Sequence, residues 1–412
     1  MSKEKNIPRL RFPGFTDAWE QRKFDEWGDF YYGHSCPKWS VTEDATIPCI
    51  RYGELYTKFG AKIDRVYSYT NMPPEKLRFS KGTEVLIPRV GEDPMDYNHC
   101  TWLSLKDVAI GEMISVFNTD QDPLFSATMF NATLQKEFAV RVEGGSVTNL
   151  YFDKLRNIDI SYPSMQEQKK IAAFFGNLDN LITLHQRKSE ALSEYKNGML
   201  QKMFPRDGMR VPEVRFPGFT DPWEQRKLGE SLSFLKDGTH GTHADADDGP
   251  LLLSAKNIKD GTIKWDETDR RISLKEYEKI HSNFSLKTGD ILLTIVGSIG
   301  ETAILKDSEG LTFQRSVAFL RPTEDILSDF LYTEIQTPSF QKELDSRKST
   351  SAQPGIYLGD LAEIPVRYSS SLEEQSKIGE YFLNLDNLIT LHQRECEALR
   401  EYKKGLLQQM FV

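Results

Sequence analysis

A short segment, Asp237–Asp248, concentrates side chains that could do chemistry. It holds two histidines followed by three carboxylates within a dozen residues. Such groups bind metals, but Gly238, Gly241 and the acidic run indicate a loop rather than a rigid ligand frame, so we predict no metal site. Hydroxyl and imidazole donors on a flexible backbone suit contacts to phosphates and base edges. The candidates in this loop are Thr239, His240, Thr242 and His243.

Further basic and amide side chains lie near predicted strand ends in both halves of the chain. Arginine can bind guanine, and asparagine or glutamine can bind adenine, through two hydrogen bonds in the major groove. Any one of these residues is more simply explained as a solvated surface group, so the prediction rests on their parallel placement. The candidates in the first half are Arg51, Tyr52, Lys58, Arg89, His99, Ser146, Thr148 and Asn149. Those in the second half are Lys256, Asn257, Arg347, Lys348, Ser349 and Gln353.

Known catalytic motifs are missing from the sequence. It contains no GxxxxGK[ST] phosphate loop, no HExxH and no GxSxG. It also lacks the paired FxGxG and [ND]PPY motifs of an amino-methyltransferase, since Asn71–Pro74 has the wrong order. Gly297–Gly300 (GSIG) follows a predicted strand and indicates a hairpin turn rather than a phosphate site. We therefore predict no catalytic and no cofactor-binding residues in this chain.

The charge restricts how the chain could bind nucleic acid. The net charge of its 412 residues is −9, whereas a protein that binds phosphate over its whole surface would be basic. Residues 24–160 hold 14 Lys and Arg against 20 Asp and Glu, and residues 230–367 hold 16 against 23. Binding would therefore use one local face, and its affinity would depend on assembly with partners.

The cellular compartment is also suggested by composition. No apolar run is long enough to cross a membrane, and the N-terminal residues lack the apolar segment of a secretory signal. The four cysteines show no paired spacing, which is typical of free thiols in a reducing compartment. We expect a cytoplasmic protein.

Two blocks of sequence occur twice, and they must position the candidate residues. RFPGFTD stands at 11–17 and 215–221, and NLDNLITLHQR at 177–187 and 384–394. The stretches between the blocks differ from each other. A duplicated framework with divergent inserts would place two different recognition elements in one fixed geometry.

The second block lies in a predicted long helix, from about Ser164 to Met203 and again from about Ser371 to Met410. Large residues recur every seven positions, which indicates a coiled-coil-like seam. Each helix would be about 55–60 Å long, and the two would pair antiparallel, with both seam histidines as packing residues. The seam residues are Ile171, Leu178, His185, Leu192, Met199, Ile378, Leu385, His392, Leu399 and Leu406.

The other segments have simpler patterns. The first block is predicted to be irregular, because its prolines and PG turn disfavour a helix. Its buried anchors would be Phe12, Phe15, Trp19, Phe216, Phe219 and Trp223. The predicted strands are Ala45–Arg51, Glu84–Val90, Val108–Val116, Phe138–Val142, Pro250–Ser254, Asp290–Val296, Thr302–Leu305 and Ser316–Leu320. Short helices are predicted at Lys275–His281 and Ile326–Thr333.

Together these motifs resemble the specificity subunits of bacterial type I restriction-modification systems. The resemblance covers essentially the whole chain. It is carried by the repeated RFPGFTDxWEQRK block, DGTHGTH…LLLSAKNIKDG (237–261), SLKTGDILLTIVGSIGETAIL (285–305), LAEIPVRYSSSLEEQSKI (361–378) and the repeated EQxKI…NLDNLITLHQR helix. In the first insert, DEWGDFYYGHSCPKW (25–39) stands where a DGTH-type loop would be expected.

The resemblance implies an α+β fold with a pseudo-twofold internal repeat. Two mixed, β-rich target-recognition domains would be separated by two long antiparallel helices that act as a spacer. The implied segments are 1–24 (framework), 25–163 (first recognition domain), 164–204 (first spacer helix), 205–229 (second framework), 230–370 (second recognition domain) and 371–412 (second spacer helix).

The resemblance also implies partners. Each recognition domain would bind one half of a split site in double-stranded DNA. Two methyltransferase subunits would use S-adenosylmethionine to methylate adenine, and motor-nuclease subunits would cut unmodified DNA. For both domains to have the same surroundings, residues 8–24 should pack near the end of helix 371–410, as 212–228 should near the end of 164–203.

Two other functional classes remain as alternatives for this chain. A coiled-coil adaptor that binds only proteins is favoured by the acidic inserts. An enzyme in its own right, either a methyltransferase or a nuclease, is disfavoured by the missing motifs.

Overall fold

The structure, a computed structural model, describes residues 6–34, 36–349 and 354–411. The chain forms two compact units. Unit 1 comprises the residues up to His185 together with those from Glu395 onward, and unit 2 comprises Gln186–Arg394. Each of the two longest helices contributes one part to each unit.

Unit 1 is rich in β-structure. Its strands are β1 (Glu20–Lys23), β2 (Gly28–Tyr32), β3 (Ile47–Ile50), β4 (Lys62–Ile63), β5 (Ser68–Thr70), β6 (Phe79–Lys81), β7 (Glu84–Pro88), β8 (Val90–Gly91), β9 (Thr101–Leu103), β10 (Lys106–Ile110), β11 (Ile114–Thr119), β12 (Glu143–Gly144), β13 (Thr148–Asn149) and β14 (Asp159–Tyr162). Its helices are α1 (Tyr52–Thr57), α2 (Pro123–Thr133), α3 (Gln135–Ala139) and the first part of α4 (Met165–Met203). The main sheet has the order β2-β11-β7-β9-β4, and a second sheet, β5-β3-β10-β6, contains the parallel pair β3–β10.

Unit 2 repeats this plan with fewer strands. They are β15 (Glu224–Lys227), β16 (Leu232–Asp237), β17 (Leu251–Leu253), β18 (Ile258–Lys259), β19 (Thr262–Ile263), β20 (Ile291–Thr294), β21 (Thr302–Ile304), β22 (Leu311–Phe313), β23 (Val317–Pro322) and β24 (Pro365–Tyr368). Its helices are α5 (Leu274–Ile280), α6 (Ser328–Ile335), α7 (Pro338–Ser346), α8 (Leu358–Ala362) and the first part of α9 (Leu372–Met410). The sheet β16-β23-β20-β21 and the parallel pair β17–β22 correspond to the sheets of unit 1.

The long helices α4 and α9 begin and end within one residue of their predicted limits. Their parts pair antiparallel inside each unit. In unit 1, the Lys403 ammonium lies 2.6 Å from the Asp179 carboxylate, and Cys396 contacts the carbonyl of Ile182. In unit 2, Lys196 and Asp386 form the same ion pair at the repeated positions. The predicted antiparallel pairing is therefore confirmed within each unit.

The ten seam residues all lie in protected positions. Five are buried and five are half-buried. The Nδ1 of His185 donates to the Glu395 carboxylate at 2.7 Å, as a hydrogen-bonded packing residue would. The buried residues are Ile171, Leu178, Ile378, Leu385 and Leu406, and the half-buried ones are His185, Leu192, Met199, His392 and Leu399.

The first framework block packs against the C-terminal end of α9, as predicted for residues 8–24. The N–H of Leu10 donates to the carbonyl of Gln409 at 3.0 Å, and Trp19 packs edge-on against Phe411. The last carbonyls of a helix have no partner within the helix, so this contact satisfies one of them. Burial of the Trp19 side chain, which is 2% exposed, stabilises the folded state by roughly 1.5–3 kcal/mol.

The second block makes the same contacts in unit 2. The N–H of Val214 donates to the carbonyl of Lys202 at 2.9 Å, and Trp223 packs against Phe204. The tryptophans are buried as predicted, but the four phenylalanine anchors are only half-buried. Two of them lie beneath lysine ammonium groups, Phe15 under Lys170 and Phe219 under Lys377. The correction concerns Phe12, Phe15, Phe216 and Phe219.

Two strand predictions need correction. The predicted strand Val108–Val116 is two strands, β10 and β11, because Gly111 turns the chain and its N–H donates to Ile50 at 2.9 Å. The predicted strand Phe138–Val142 is wrong, since Phe138 belongs to helix α3 and its N–H donates to the carbonyl of Leu134. The alternating apolar residues there follow Gln135, Lys136 and Glu137, three good helix formers, and the segment begins as a helix.

Other predictions hold. The strands predicted in unit 2 and the short helices at Lys275–His281 and Ile326–Thr333 are present, with shifts of a few residues. Gly297 and Gly300 both have positive φ and turn the chain between β20 and β21. Within the described residues, no helix is both long enough and apolar enough to cross a bilayer.

Candidate nucleic-acid interface

The loops of unit 2 that carry candidate residues meet at one end of its sheets. Gly238 follows β16, and the N–H of Thr239 donates to the carbonyl of Phe313 at the end of β22 (2.9 Å). The N–H of Arg315 donates back to Thr239 at 3.1 Å. A Cβ on Gly238 would lie 2.2 Å from the carbonyl oxygen of Phe313, so this approach requires glycine.

The adjoining loops are tied to the same point. The N–H of Ala255 donates to the Ser316 hydroxyl (3.0 Å), and the N–H of Ile295 donates to the Ser316 carbonyl (2.9 Å). Ile356 donates to Ile295, and Ser349 donates to the carbonyl of Gly355. We call these segments the loop end of unit 2; it comprises residues 238–243, 254–257, 295–300, 314–316 and 347–349.

His243 holds the glycine-rich loop in place. It is 8% exposed, and its Nδ1 lies 3.0 Å from the Glu276 carboxylate. Because a carboxylate only accepts, Nδ1 carries the proton and Nε2 accepts from the Thr239 hydroxyl at 2.7 Å. The hydrogen bond to His243 lowers the pKa of Glu276. His243 and Thr239 are therefore occupied in shaping the loop.

The remaining loop candidates face solvent. His240 is exposed and its Nε2 bonds the Asp237 carboxylate at 2.6 Å, whereas Thr242 is exposed. The two histidines thus serve separate hydrogen bonds, and the structure does not bring them together on one ligand point. Thr242 and His240 are the side chains of this loop that a DNA strand could reach.

Lys256 and Asn257 have different environments despite being neighbours. Asn257 is buried and donates to the carbonyl of Lys264 and to Asp269, so it is structural. The Lys256 ammonium is exposed, 2.8 Å from Asp269. Hydrogen bonds from Lys256 and then Asn257 lower the pKa of Asp269 to about 2. Lys256 could contact a phosphate only by giving up part of this ion pair.

The segment after α7 is also ion-paired. Arg347 bonds Glu343 and Lys348 bonds Asp345, each one turn back along the chain. Ser349 joins the loop end through its backbone and through its hydroxyl, which accepts from the N–H of Gly355 at 3.0 Å. Gln353 lies outside the described residues.

Unit 1 has the same backbone frame with other side chains. The N–H of His34 donates to the carbonyl of Ile110 (2.8 Å), as Thr239 does to Phe313, and Gly33 is pressed on the backbone as Gly238 is. The N–H of Gly111 donates to Ile50 (2.9 Å), which corresponds to Gln314 donating to Leu253 (2.8 Å). Tyr32, Gly33 and His34 therefore occupy the places of Asp237, Gly238 and Thr239.

Arg51 and Tyr52 begin the short helix α1 directly after β3, just as Ser254 and Ala255 follow β17. The Glu54 carboxylate accepts the N–H of Arg51 at 2.8 Å and so caps this helix. Tyr52 is exposed, and the Lys58 ammonium lies over the ring of Tyr67. Arg51 and Tyr52 thus lie at the loop end of unit 1, which comprises residues 33–34, 51–58, 89–91, 111–113 and 145–149.

Arg89 stands between two aromatic rings. Its guanidinium lies 4.7 Å from the ring centre of Tyr32 and 5.3 Å from that of Tyr151. The backbone N–H of Arg89 donates to the carbonyl of Met113 at 3.2 Å. Its Nε is buried without a partner among the described residues. Arg89 thus contacts two aromatic rings while remaining only half-buried.

The other candidates of unit 1 divide into exposed and structural residues. Ser146 is exposed in the turn between β12 and β13. Thr148 is buried and bonded to Tyr97 and to the carbonyl of Gly91, so it is structural, and Asn149 pairs with Val90 in the sheet. His99 forms a hydrogen bond with Asp96, and its ring packs on Tyr56 of helix α1. It is far from the β12–β13 turn in sequence.

The structure adds residues that sequence reasoning missed. Gln314, Arg315 and Ser316 connect β22 to β23 at the centre of the loop end of unit 2, and Gly111–Met113 does so in unit 1. Arg315 and Glu112 are both exposed. In unit 2 a polar triplet between two apolar strands was the available signal, but the same pattern is typical of an ordinary turn.

Comparison with known proteins gives one consistent result. Residues 107–194 and 221–401 match the family described as the type I restriction modification DNA specificity domain. The MjaVIII specificity subunit of a type I restriction enzyme from Methanocaldococcus jannaschii is 28% identical over 261 residues, 61% of this chain and 60% of that protein. The EcoBI specificity subunit from Escherichia coli is 22% identical over 306 residues, 69% of this chain and 63% of that protein. The chain thus spans about three-fifths of the length of these curated relatives.

A solved structure shares the fold. The S subunit of a type I restriction-modification system from M. genitalium has a TM-score of 0.62 and 16% identity, over 98% of this chain and 99% of that one. A structure from a study of complex assembly of a type I system has a TM-score of 0.51 over 98% and 99%. The likeness supports two mixed units with an internal repeat.

Proposed function

Because the chain belongs to the type I restriction modification DNA specificity family, we propose that it is the DNA sequence-specificity subunit of a type I restriction-modification complex. Each unit would bind one half of a bipartite site in double-stranded DNA. The chain itself would be non-catalytic and would direct adenine-N6 methylation and restriction by other subunits.

One observation carries this proposal: the same main-chain hydrogen bonds hold loops of different sequence in the two units. Gly33 and Gly238 sit against the same backbone position, yet they are followed by His34 and Thr239. A frame that fixes loop position while side chains vary suits two recognition elements with different base preferences.

The charges indicate how such a chain would bind DNA. Most cations at the loop end of unit 2 are paired with carboxylates, as Lys256 is with Asp269 and Arg347 with Glu343. Few ammonium or guanidinium groups are then available to neutralise phosphates. Affinity would depend on basic surfaces of partner subunits and would fall with salt.

The proposed partners supply the chemistry. Two methyltransferase subunits would dock on the repeated framework and helices and would bring S-adenosylmethionine, while motor-nuclease subunits would add cleavage. The long helices α4 and α9 would set the gap between the half-sites. Four free, buried cysteines are compatible with the cytoplasm as the place of action.

Methylation mapping tests the proposal. The full chain is co-expressed with the methyltransferase subunits in cells without other adenine methylation, and methylated adenines are mapped across the genome. We expect one bipartite motif, and replacement of residues 25–163 by another recognition domain should change only one half of it. A change in both halves would contradict two independent recognition units.

The adaptor alternative predicts a different outcome. A chain that binds only proteins would leave the assembled complex without salt-sensitive, sequence-dependent DNA binding. Measuring binding of the complex to DNA with and without the motif, at 50 mM and 200 mM salt, separates the two functions.

A further inference from the structure

Arg315 and Glu112 occupy the same place in the two units. Each follows the residue that donates to the neighbouring parallel strand, Gln314 to Leu253 and Gly111 to Ile50. Each also precedes the strand that leads back through the main sheet, β23 or β11. The position is thus defined by matching hydrogen bonds rather than by sequence, which differs completely here.

The side chains of Arg315 and Glu112 are both exposed. Within residues 6–34, 36–349 and 354–411, the Arg315 guanidinium and the Glu112 carboxylate form no ion pair and no side-chain hydrogen bond. Nearby cations such as Lys256 and Arg347 are paired. Arg315 could therefore bind DNA without first breaking an ion pair.

The backbone fixes where the two side chains start. Arg315 donates its N–H to the carbonyl of Thr239 at 3.1 Å, next to the solvent-facing His240 and Thr242. In unit 1, the carbonyl of Glu112 accepts from the guanidinium of Arg89 at 3.4 Å. Both side chains thus project from positions held by two neighbouring segments, as a base-specific contact requires.

The opposite charges of Arg315 and Glu112 suit different bases, guanine and cytosine. An arginine binds O6 and N7 of guanine through two hydrogen bonds, and a glutamate accepts from N4 of cytosine. A carboxylate near the DNA backbone would be repelled by phosphates, so Glu112 is better suited to a base edge than to the backbone.

We propose that this position is a specificity determinant in both units: Arg315 contacts a guanine in the half-site bound by unit 2, and Glu112 contacts a cytosine in the half-site bound by unit 1. This inference rests on the proposed function and adds to it one named residue and one base for each half-site.

Single substitutions test the inference in the full complex. Arg315→Ala and Glu112→Ala are each co-expressed with the methyltransferase subunits, and methylated sites are mapped. We expect Arg315→Ala to relax one G·C position in one half-site, and Glu112→Ala one in the other. Competing oligonucleotides should show discrimination at that position reduced about 5- to 150-fold.

Two further variants make the test decisive. Arg315→Lys keeps the charge but loses the two-pronged geometry, so it should retain methylation while losing discrimination at the same base pair. Lys306→Ala removes one exposed cation at the opposite end of β20 and should leave the motif unchanged. Thermal denaturation confirms that each variant is folded.

The outcomes separate the inference from the function. If the wild-type chain yields no bipartite motif, the proposed function itself fails. If the wild type yields a motif that Arg315→Ala and Glu112→Ala leave intact, or alter in the wrong half-site, only the inference is overturned. Loss of all methylation in folded Arg315→Ala and Arg315→Lys alike would also overturn it, since the side chain would then be a general affinity contact.

Discussion

Arg215 and Glu374, 159 residues apart in the chain, form a two-pronged ion pair whose carboxylate is completely buried. Arg11 and Glu167 form the same pair in unit 1, with both N···O distances at 2.7 Å. The pair fastens the RFPGF block to the first turn of a long helix. The adjacent glutamines repeat too: Gln168 accepts the backbone N–H of Asp122, and Gln375 accepts that of Leu327.

Glu374→Ala should strongly destabilise unit 2. The substitution leaves the Arg215 guanidinium, 11% exposed, without its partner, and breaking a buried pair costs roughly 3–5 kcal/mol of unfolding free energy. Glu373→Ala, one residue earlier, removes an exposed pair with Lys377 and should cost at most about 0.5 kcal/mol. Urea denaturation measures both, and equal losses would show that burial of the pair is unimportant.

Stability should depend on pH through Glu334. Burial raises the pKa of this carboxyl from 4.5 to about 8 in the folded protein. Because the folded state keeps the proton that the unfolded chain releases, stability falls as pH rises from about 4.5 to about 8 and is level above. Glu334→Gln keeps an oxygen to accept the Arg367 N–H, which Glu334 binds at 3.0 Å.

The Gln variant should therefore gain stability relative to the wild type as pH increases. The relative gain between pH 5.5 and pH 8.5 is expected to be on the order of a few kcal/mol, measured by calorimetric melting. Glu324→Gln, at an exposed site in the same unit, is the control and should melt in parallel with the wild type. Parallel pH profiles for Glu334→Gln would refute a protonated Glu334.

His243 and Thr242 should separate loop structure from DNA contact. His243→Ala removes two hydrogen bonds from a buried position and should lower the unfolding free energy by about 1–3 kcal/mol. Thr242→Ala changes an exposed side chain and should leave stability within about 0.5 kcal/mol while weakening DNA binding by the complex. Thermal melting and DNA titration of both variants check this; a destabilised Thr242→Ala chain would contradict the assignment.

Lengthening both long helices should change the DNA gap. Four residues add one turn, about 6 Å, which corresponds to roughly two base pairs at 3.4 Å each. Insertion near the middle of α4 and of α9 should lengthen the gap in the methylated motif and leave both half-sites unchanged. Methylation mapping decides, and altered half-sites with a constant gap would refute the spacer role.

The sequence predicted the framework well because its signals are local and repeated. Heptad spacing placed α4 and α9 within one residue, and the tryptophans were correctly expected to be buried. The ion pair of Arg11 with Glu167 was not predicted, although both residues lie in recognised motifs. Pairing across 156 residues has no local signature.

The loops were harder to predict, for two physical reasons. His243 and Asn257 looked like DNA contacts because their side chains are polar, but tertiary packing buries them and uses their hydrogen bonds internally. Arg315 looked like an ordinary turn residue, because only the long-range bridge between Thr239 and Gln314 brings it beside Thr239. Side-chain type alone does not distinguish these cases.

The close approach of Gly33 and Gly238 to the neighbouring backbone has a consequence for evolution. The loops are held by main-chain N–H and carbonyl groups, which every residue except proline supplies in full. The side chains of His243 and Thr239 also shape the loop, whereas the exposed side chains of His240 and Thr242 contribute nothing to this main-chain frame. An exposed loop side chain such as Thr242 can therefore change with little loss of stability. Under the proposed function, new DNA preferences can then arise one substitution at a time in a protein that continues to fold.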